Sequence, residues 1–155
     1  MLAFDIVLAF HPSPEEIGDC AASILKSDYD LKKVYLHSRA AGAEVNAQYG
    51  FTFGGDAAEQ LRRYRADWVL LSVEGVSAQG GLTTYHAEEA ALNRLMIEQG
   101  KRTVVVADHT KVGRPGFTRI CDVGSGMHLV TDSKADGDAL RALERTGMEV
   151  TVSRR

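Results

Sequence analysis

Three side chains of complementary chemistry lie within one stretch of four residues: the carboxylate of Asp108, the hydroxyl of Thr110 and the ammonium group of Lys111. They directly follow 104–107, a short apolar run rich in β-branched residues that predicts a strand buried on both faces. The three residues are therefore expected at the carboxyl end of a strand, where open α/β sheets bind ligands. A carboxylate and a hydroxyl bind a polyol and a lysine neutralises a phosphate, so the chemistry favours a sugar phosphate.

A plainer interpretation of the same stretch remains open. Short polar loop residues usually serve the turn itself, so Asp108 would accept a backbone amide proton and Lys111 would be solvated. His109, between them, is interpreted as a turn residue rather than as a ligand or a base.

A second candidate is the glycine-rich stretch from Gly75 to Gly81, which leads into a helix with Thr83 or Thr84 as its expected cap. Free backbone amides at a helix start, together with the positive end of the helix dipole, can bind an anion. Glycines also allow a ligand to approach the backbone closely. The alternative is that these glycines only form a crossover turn.

Glu89 is the third candidate, because its position on the predicted helix places a carboxylate at the end of an apolar stripe. Leu92 and Met96 follow it at i+3 and i+7, and all three share one helix face. A carboxylate in such a place needs a partner. Glu89 is therefore either a ligand-binding residue or a structural acceptor for loop amides.

These residues must be positioned by alternating strands and helices. Strands are predicted at 4–10, 31–37, 68–73, 104–107, 127–130 and 148–152, and helices at 13–26, 56–65, 84–99 and 136–146. Segments 38–53 and 74–81 are predicted to be irregular. The alternation predicts a Rossmann-like α/β fold, with a mostly parallel sheet and helices on both faces. Because no Gly-x-Gly-x-x-Gly motif follows the first strand, a dinucleotide-binding version is disfavoured.

Composition narrows the class of protein further. The chain has 155 residues, a net charge of −3 and two cysteines, Cys20 and Cys121, that are far apart in sequence. One domain is expected, with no basic stripe for nucleic acid, no metal site and no cofactor. No apolar run reaches the roughly 18 residues of a membrane span, and the expected location is the cytoplasm.

Several motifs in order resemble the carboxyl-terminal sensor domain of DeoR-type bacterial transcriptional repressors. The segment 108–113 resembles that family's Asp-x-Ser-Lys turn, with Thr110 in place of the serine. The other matching segments are Asp67 to Leu71 with Gly75, Gly81 to Thr84, Glu89-Ala90 with Arg94, and Val130 to Asp132. The resemblance covers about residues 54–152. Residues 1–53 match poorly, the family's early phosphate turn is missing, and Asn93 stands where the family often has a lysine.

The resemblance implies a fold shared with ribose-5-phosphate isomerase and glucosamine-6-phosphate deaminase, the phosphosugar isomerase and CoA-transferase-like class. It also implies a non-catalytic effector-binding domain over residues 1–155, truncated at its amino-terminal end or divergent there. The effector is expected to be a phosphorylated sugar or a related metabolite. The implied effector-binding residues are Gly75, Gly81, Thr83, Glu89, Asp108, Thr110 and Lys111.

In such repressors DNA is bound through a helix-turn-helix, which does not appear in this sequence, and the protein is expected to form homo-oligomers. Two rival functions remain open at this point. One is a sugar-phosphate isomerase with Glu89 as the base, and the other is an oligomerisation domain that binds no ligand.

Overall fold

The computed structural model describes residues 54–153 in full and, before them, the strands at 3–8, 30–36, 44–46 and 51–53. The helix predicted at 13–26 lies outside the described residues. In chain order the described elements are β1 (Ala3–Leu8), β2 (Asp30–Leu36), β3 (Glu44–Asn46), β4 (Phe51–Phe53), α1 (Gly55–Arg62), β5 (Ala66–Ser72), β6 (Gly75–Ser77), β7 (Gly81–Thr84), α2 (Ala87–Gln99), β8 (Gly100–Val106), β9 (Thr118–Cys121), β10 (Met127–Asp132), α3 (Gly137–Glu144) and β11 (Glu149–Ser153).

A six-stranded sheet forms the centre of the fold. Its order is β2-β1-β5-β8-β10-β11, and every neighbouring pair is parallel. The α/β, Rossmann-like class predicted from the sequence is thereby confirmed. The direction of strand addition reverses between β1 and β5, because β2 lies on one side of β1 and the four later strands of this sheet lie on the other. Ligands in sheets of this type bind outside the carboxyl ends of the strands at such a reversal.

The apolar runs of β5 and β8 are continuous because both faces of these strands are buried. Val69, Leu71 and Val105 belong to the main core cluster, whereas Leu70 and Val104 belong to a second cluster. Residues from all three described helices join the main cluster, among them Leu61 of α1, Met96 of α2 and Leu143 of α3. Helices on both faces of the sheet stay an expectation, since residues 13–26, where a further helix is predicted, lie outside the described part of the chain.

Two segments predicted to be irregular contain strands instead. β3 pairs antiparallel with β4 inside 38–53, and β6 pairs antiparallel with β7 where a loop was expected at 74–81. β7 also pairs antiparallel with β9, a strand that the sequence did not indicate. We call β6, β7 and β9 the small sheet. Strands of three or four residues are too short to show a clear period, which explains why the pattern missed them.

The helix starts also differ in part from the prediction. α2 begins at Ala87 with His86 as its N-cap, because Thr84 is the last residue of β7, and no side chain caps this helix. Asp136, where the last helix was predicted to begin, is the N-cap of α3, and its carboxylate accepts a hydrogen bond from the Ala139 amide at 2.8 Å. No helix in the described part of the chain is long and apolar enough to cross a membrane.

Candidate ligand-binding site at the carboxyl edge of the sheet

Residues 108–111, which we call the edge loop, leave the carboxyl end of β8 as a tight turn. One carboxylate oxygen of Asp108 accepts the Thr110 amide at 2.7 Å, and the Asp108 carbonyl accepts the Lys111 amide at 3.0 Å. Asp108 and Thr110 nevertheless remain exposed. Asp108 thus supports the turn and also presents polar atoms to solvent.

The plainer interpretation of the sequence held that Lys111 is a solvated cation. The structure shows instead that Lys111 is paired. Its ammonium group forms an ion pair with Glu74, and the exposed fractions of the two side chains are 32% and 13%. Burial disfavours the charged ammonium, but the hydrogen bond to Glu74 and the nearby negative charges outweigh it and raise the pKa of Lys111. Lys111 is therefore a fixed positive charge at the sheet edge at neutral pH.

Sequence reasoning missed Glu74 as a member of this site. It lies two residues beyond β5, and Lys111 lies five residues beyond β8, the strand that pairs directly with β5. Carboxyl ends of neighbouring parallel strands meet at one edge of a sheet, so the two positions are brought together by the topology. A search for charged residues after every strand would have found Glu74.

A second contact joins the edge loop to β10. Asp132, the last residue of β10, accepts the His109 amide at 2.7 Å, the His109 ring Nδ1 at 3.0 Å and the Lys134 amide at 2.8 Å. The backbone amides of His109 and Lys134 lead the interactions that lower the pKa of Asp132 to about 2. Asp132 is thus an ionised anchor that holds the edge loop against the neighbouring strand.

Ligand atoms of Asp108, His109 and Asp132 all lie within 4.8 Å of one another, a spacing that would fit a metal ion. Both oxygens of Asp132 already accept hydrogen bonds from amides of the protein, however. These three side chains are sufficiently explained as supports of the turn.

Backbone hydrogen bonds join the small sheet directly to the edge loop and to the residues that follow it. The Val76 amide of β6 donates to the Lys111 carbonyl at 3.0 Å, and the Gly113 amide donates to the Val76 carbonyl at 2.8 Å. A displacement of Lys111 would therefore be transmitted to β6 through backbone hydrogen bonds.

Thr83 and Gly75 make their hydrogen bonds within the small sheet and the loop that covers it. The Thr83 hydroxyl donates to the Gly75 carbonyl at 3.1 Å and accepts the Gly116 amide at 2.6 Å. A Cβ atom at Gly75 would overlap the Arg114 carbonyl and would lie 2.6 Å from Thr83 Oγ1. Both residues are buried. The absence of a side chain at Gly75 therefore leaves room for the protein's own backbone. A role in binding an effector stays a prediction for Thr83 and Gly75.

Gly81 opens β7 with a positive φ of 72°. A Cβ atom there would overlap the Cys121 carbonyl of the paired strand β9, and Gly81 is buried. Its backbone conformation and its packing both require glycine. The effector contact predicted for Gly81 is likewise untested.

Glu89 lies in the first turn of α2 and is 8% exposed. Its carboxylate accepts a hydrogen bond from the Thr84 hydroxyl at the end of β7. The partner that a buried carboxylate needs is thus a side chain of the neighbouring strand, whereas the structural alternative left open by the sequence named loop amides. Its predicted effector contact also stays a prediction.

The fold and the site define a class of protein: an α/β domain whose parallel sheet presents a paired lysine, a hydroxyl and carboxylates at its carboxyl edge. The family described as the DeoR C terminal sensor domain matches residues 29–133. The chain belongs to this family. The match begins earlier than the resemblance drawn from the motifs, which started near residue 54.

Curated relatives of this chain include transcriptional repressors and regulators. The chain is 30% identical over 127 residues to the HTH-type transcriptional repressor GlcR of Bacillus subtilis, covering 82% of this chain and 47% of that protein. It is 35% identical over 102 residues to a putative aga operon transcriptional repressor of Escherichia coli O157:H7, covering 65% and 38%. A glycerol-3-phosphate regulon repressor of Escherichia coli K12 is 23% identical over 103 residues, covering 66% and 41%. The chain thus spans less than half the length of these relatives.

Proposed function

We propose that this sensor domain binds a phosphorylated sugar or a related metabolite at the edge loop, and that this binding regulates transcription. The observation that carries the proposal is Lys111, a charged lysine fixed at the carboxyl edge with the exposed Asp108 and Thr110 beside it. One relative is named for a glycerol-3-phosphate regulon, which supports a phosphorylated effector. In this proposal Lys111 binds the phosphate, and Asp108 and Thr110 bind hydroxyl groups.

The ion pair with Glu74 suggests how binding changes the protein. A phosphate carries more negative charge than a carboxylate and accepts several hydrogen bonds, so it displaces Glu74 as the partner of Lys111. Repulsion between the phosphate and Glu74 then acts on the residue that directly precedes β6. The backbone bonds between β6 and Lys111 couple this movement to the small sheet.

DNA binding and assembly belong to the same proposal. Relatives are described as HTH-type, and this chain covers less than half of each. In this proposal DNA is contacted by a helix-turn-helix of the kind for which these relatives are named, and the protein acts as a homo-oligomer in the cytoplasm.

The domain is proposed to bind its ligand without turning it over. In the rival isomerase, Glu89 would move a proton on the substrate, and a base must lie within hydrogen-bond reach of that proton. Glu89 is buried and hydrogen-bonded to Thr84. The curated relatives described above are named as repressors or regulators, which supports a role in binding rather than in catalysis.

Thermal-shift measurements with hexose and pentose phosphates test the proposal. A bound effector at a hundredfold excess over its Kd stabilises the fold by about 2.7 kcal/mol, which raises Tm by about 5–10 °C for a chain of this size. Lys111→Met should abolish the shift. Lys101→Met is the matched control, because Lys101 is also paired with an acid, Asp67, but lies near the amino end of β8. No shift with any phosphosugar, or an equal loss in both variants, would refute the proposal.

A further inference from the structure

The strand β11 lies at one side of the central sheet and is open to the addition of another strand. Among the described strands it pairs with β10 alone, and that pairing runs without interruption over all five of its residues. Edge strands usually carry lysine, proline or a bulge that blocks further pairing. The sequence of β2, at the opposite side of the sheet, contains Lys32 and Lys33, whereas β11 contains neither lysine nor proline.

The side chains of β11 leave an apolar surface exposed beside α3. Val150 packs against the main core cluster, which includes Leu143 of α3. Val152 lies on the same face of the strand, because side chains two residues apart point to one side, and it is 40% exposed. The helix α3 packs against β11. We call β11 and α3 together the lateral edge.

The sequence of β11 is complementary to itself in an antiparallel arrangement. If Thr151 lies opposite Thr151 of a second copy, all five residues of the strand are paired. Val150 then lies opposite Val152, and Glu149 lies opposite Ser153 rather than opposite its own copy. Valine and threonine pairs of this kind stabilise sheets, whereas directly opposed like charges destabilise them. Any other two-fold register that keeps paired side chains on one face leaves at least two residues of β11 unpaired.

The charges of α3 fit the same two-fold symmetry. Asp132 at the end of β10 pairs with Ser153, so α3, which connects the two strands, runs from the Ser153 end of β11 back to its beginning. A two-fold rotation about Thr151 therefore places the start of one α3 opposite the end of the other. Asp138 lies in the first turn of α3 and Arg145 is its C-cap, and both are exposed. Each acidic helix start would thus meet a basic helix end.

We propose that the lateral edge joins two copies of this chain, with β11 paired antiparallel to β11 of the second copy so that the two sheets become continuous. This inference rests on the homo-oligomer of the proposed function and names the surface that forms it. A stable interface buries about 1,600 Å² in total, more than a five-residue strand pair supplies, so the two α3 helices contribute the remaining contact. The carboxyl edge of the sheet stays accessible, because strand addition uses only the side of β11.

Sedimentation velocity of the 155-residue chain over a concentration series tests the charge complementarity, and the wild type should form a dimer. Asp138→Arg and Arg145→Asp should each weaken the dimer about tenfold, because two contacts between opposite charges become contacts between like charges. An equimolar mixture of the two variants should recover the wild-type affinity. In the mixed dimer each helix end again meets the opposite charge.

The helix α1 provides matched controls, since it has the same arrangement of charges away from the lateral edge. Asp56 lies in its first turn and Arg62 in its last turn, and both are exposed. Asp56→Arg and Arg62→Asp should leave the dimer dissociation constant within about twofold of the wild type. Val152→Lys should abolish the dimer at concentrations where the wild type is dimeric, because it places a charge on the paired strand. Circular dichroism verifies that each variant is folded.

A disulfide cross-link tests the register directly. Directly opposite residues of an antiparallel pair have Cα atoms about 4.5–5.5 Å apart, within the range of about 4.4–6.8 Å that a disulfide spans. Thr151→Cys should therefore cross-link to itself when oxidised glutathione is added, as non-reducing electrophoresis would show. Thr110→Cys, at an exposed position of the edge loop, should remain uncross-linked, as should the wild type with its Cys20 and Cys121.

Two kinds of result would overturn the inference, and they differ in what they mean for the proposed function. A wild type that sediments as a monomer at every concentration would remove both the inference and the homo-oligomer, although a thermal shift with phosphosugars would still support effector binding. A dimer that is unaffected by Asp138→Arg, Arg145→Asp and Val152→Lys would remove the inference alone. So would a mixture of the two charge variants that fails to recover, or a Thr151→Cys protein that does not cross-link.

Discussion

The edge loop and the small sheet contain similar residues but use them in opposite ways. Both regions combine threonine, a carboxylate partner and nearby glycine, and both follow strands of the central sheet. In the small sheet, the hydroxyl groups of Thr83 and Thr84 are buried and bonded to Gly75 and Glu89. In the edge loop, Thr110 is exposed, and the paired Lys111 remains partly accessible.

This difference shows that a polar residue near a sheet edge is a ligand candidate only if the fold leaves its polar atoms accessible. A buried hydroxyl that already has a partner stabilises the scaffold, whereas an exposed one can exchange water for a ligand. On this basis the edge loop is the binding region and the small sheet is its support.

Gly75→Ala should destabilise the protein most strongly, by about 3 kcal/mol or more, because the new Cβ atom would overlap the Arg114 backbone. Urea denaturation measures the change. Gly55→Ala is the control, since no atom lies within 4 Å of a Cβ at Gly55, and it should be neutral or slightly stabilising. A fully stable Gly75→Ala protein would show that the small sheet tolerates rearrangement and is not a rigid support.

Thr84→Val removes the hydroxyl donor of Glu89 while keeping the side-chain shape. It should cost about 1–3 kcal/mol, because a buried carboxylate then loses its hydrogen bond. The same substitution at Thr110 should change stability by less than about 0.5 kcal/mol, since that side chain is exposed. Equal effects at the two threonines, measured by chemical denaturation, would remove the contrast between the regions.

Asp132→Asn should produce a smaller effect that depends on pH. The folded-state pKa of Asp132 is about 2, below its ordinary value of 3.8, so its carboxylate stabilises the fold above that value. The contribution disappears as the pH falls from about 4 to about 2. The stability difference between wild type and Asp132→Asn should therefore shrink over this range. A difference that stays constant with pH would show that Asp132 does not anchor the edge loop through its charge.

The sequence was sufficient for the central sheet because its strands are long apolar runs with polar ends. All six expected strands of the parallel sheet are present, with shifts of a few residues at their ends. The small sheet was missed because its strands have only three or four residues, and pairing between distant segments stabilises them. The distance along the chain from Thr84 to Thr118 left no local pattern that could indicate their pairing.

For the site, sequence reasoning found the edge loop but not its partners. Asp108, Thr110 and Lys111 stand together in the sequence, so their proximity needed no structural information. Glu74 follows β5 and Asp132 ends β10, and only the strand order β5-β8-β10 brings them to the same edge. Gly75 and Gly81 were predicted to bind a ligand. A glycine next to a ligand and a glycine next to the protein's own backbone cannot be told apart from the sequence.

Amide NMR of the 155-residue chain titrated with a hexose phosphate tests the central claim most directly, because it locates the bound phosphate residue by residue. The largest shifts are expected at Thr110, Lys111 and Glu74, and they should disappear in Lys111→Met but persist in Lys101→Met. The largest shifts around Gly81 and Cys121 instead, or shifts that persist in Lys111→Met, would contradict the assignment of the edge loop as the binding region.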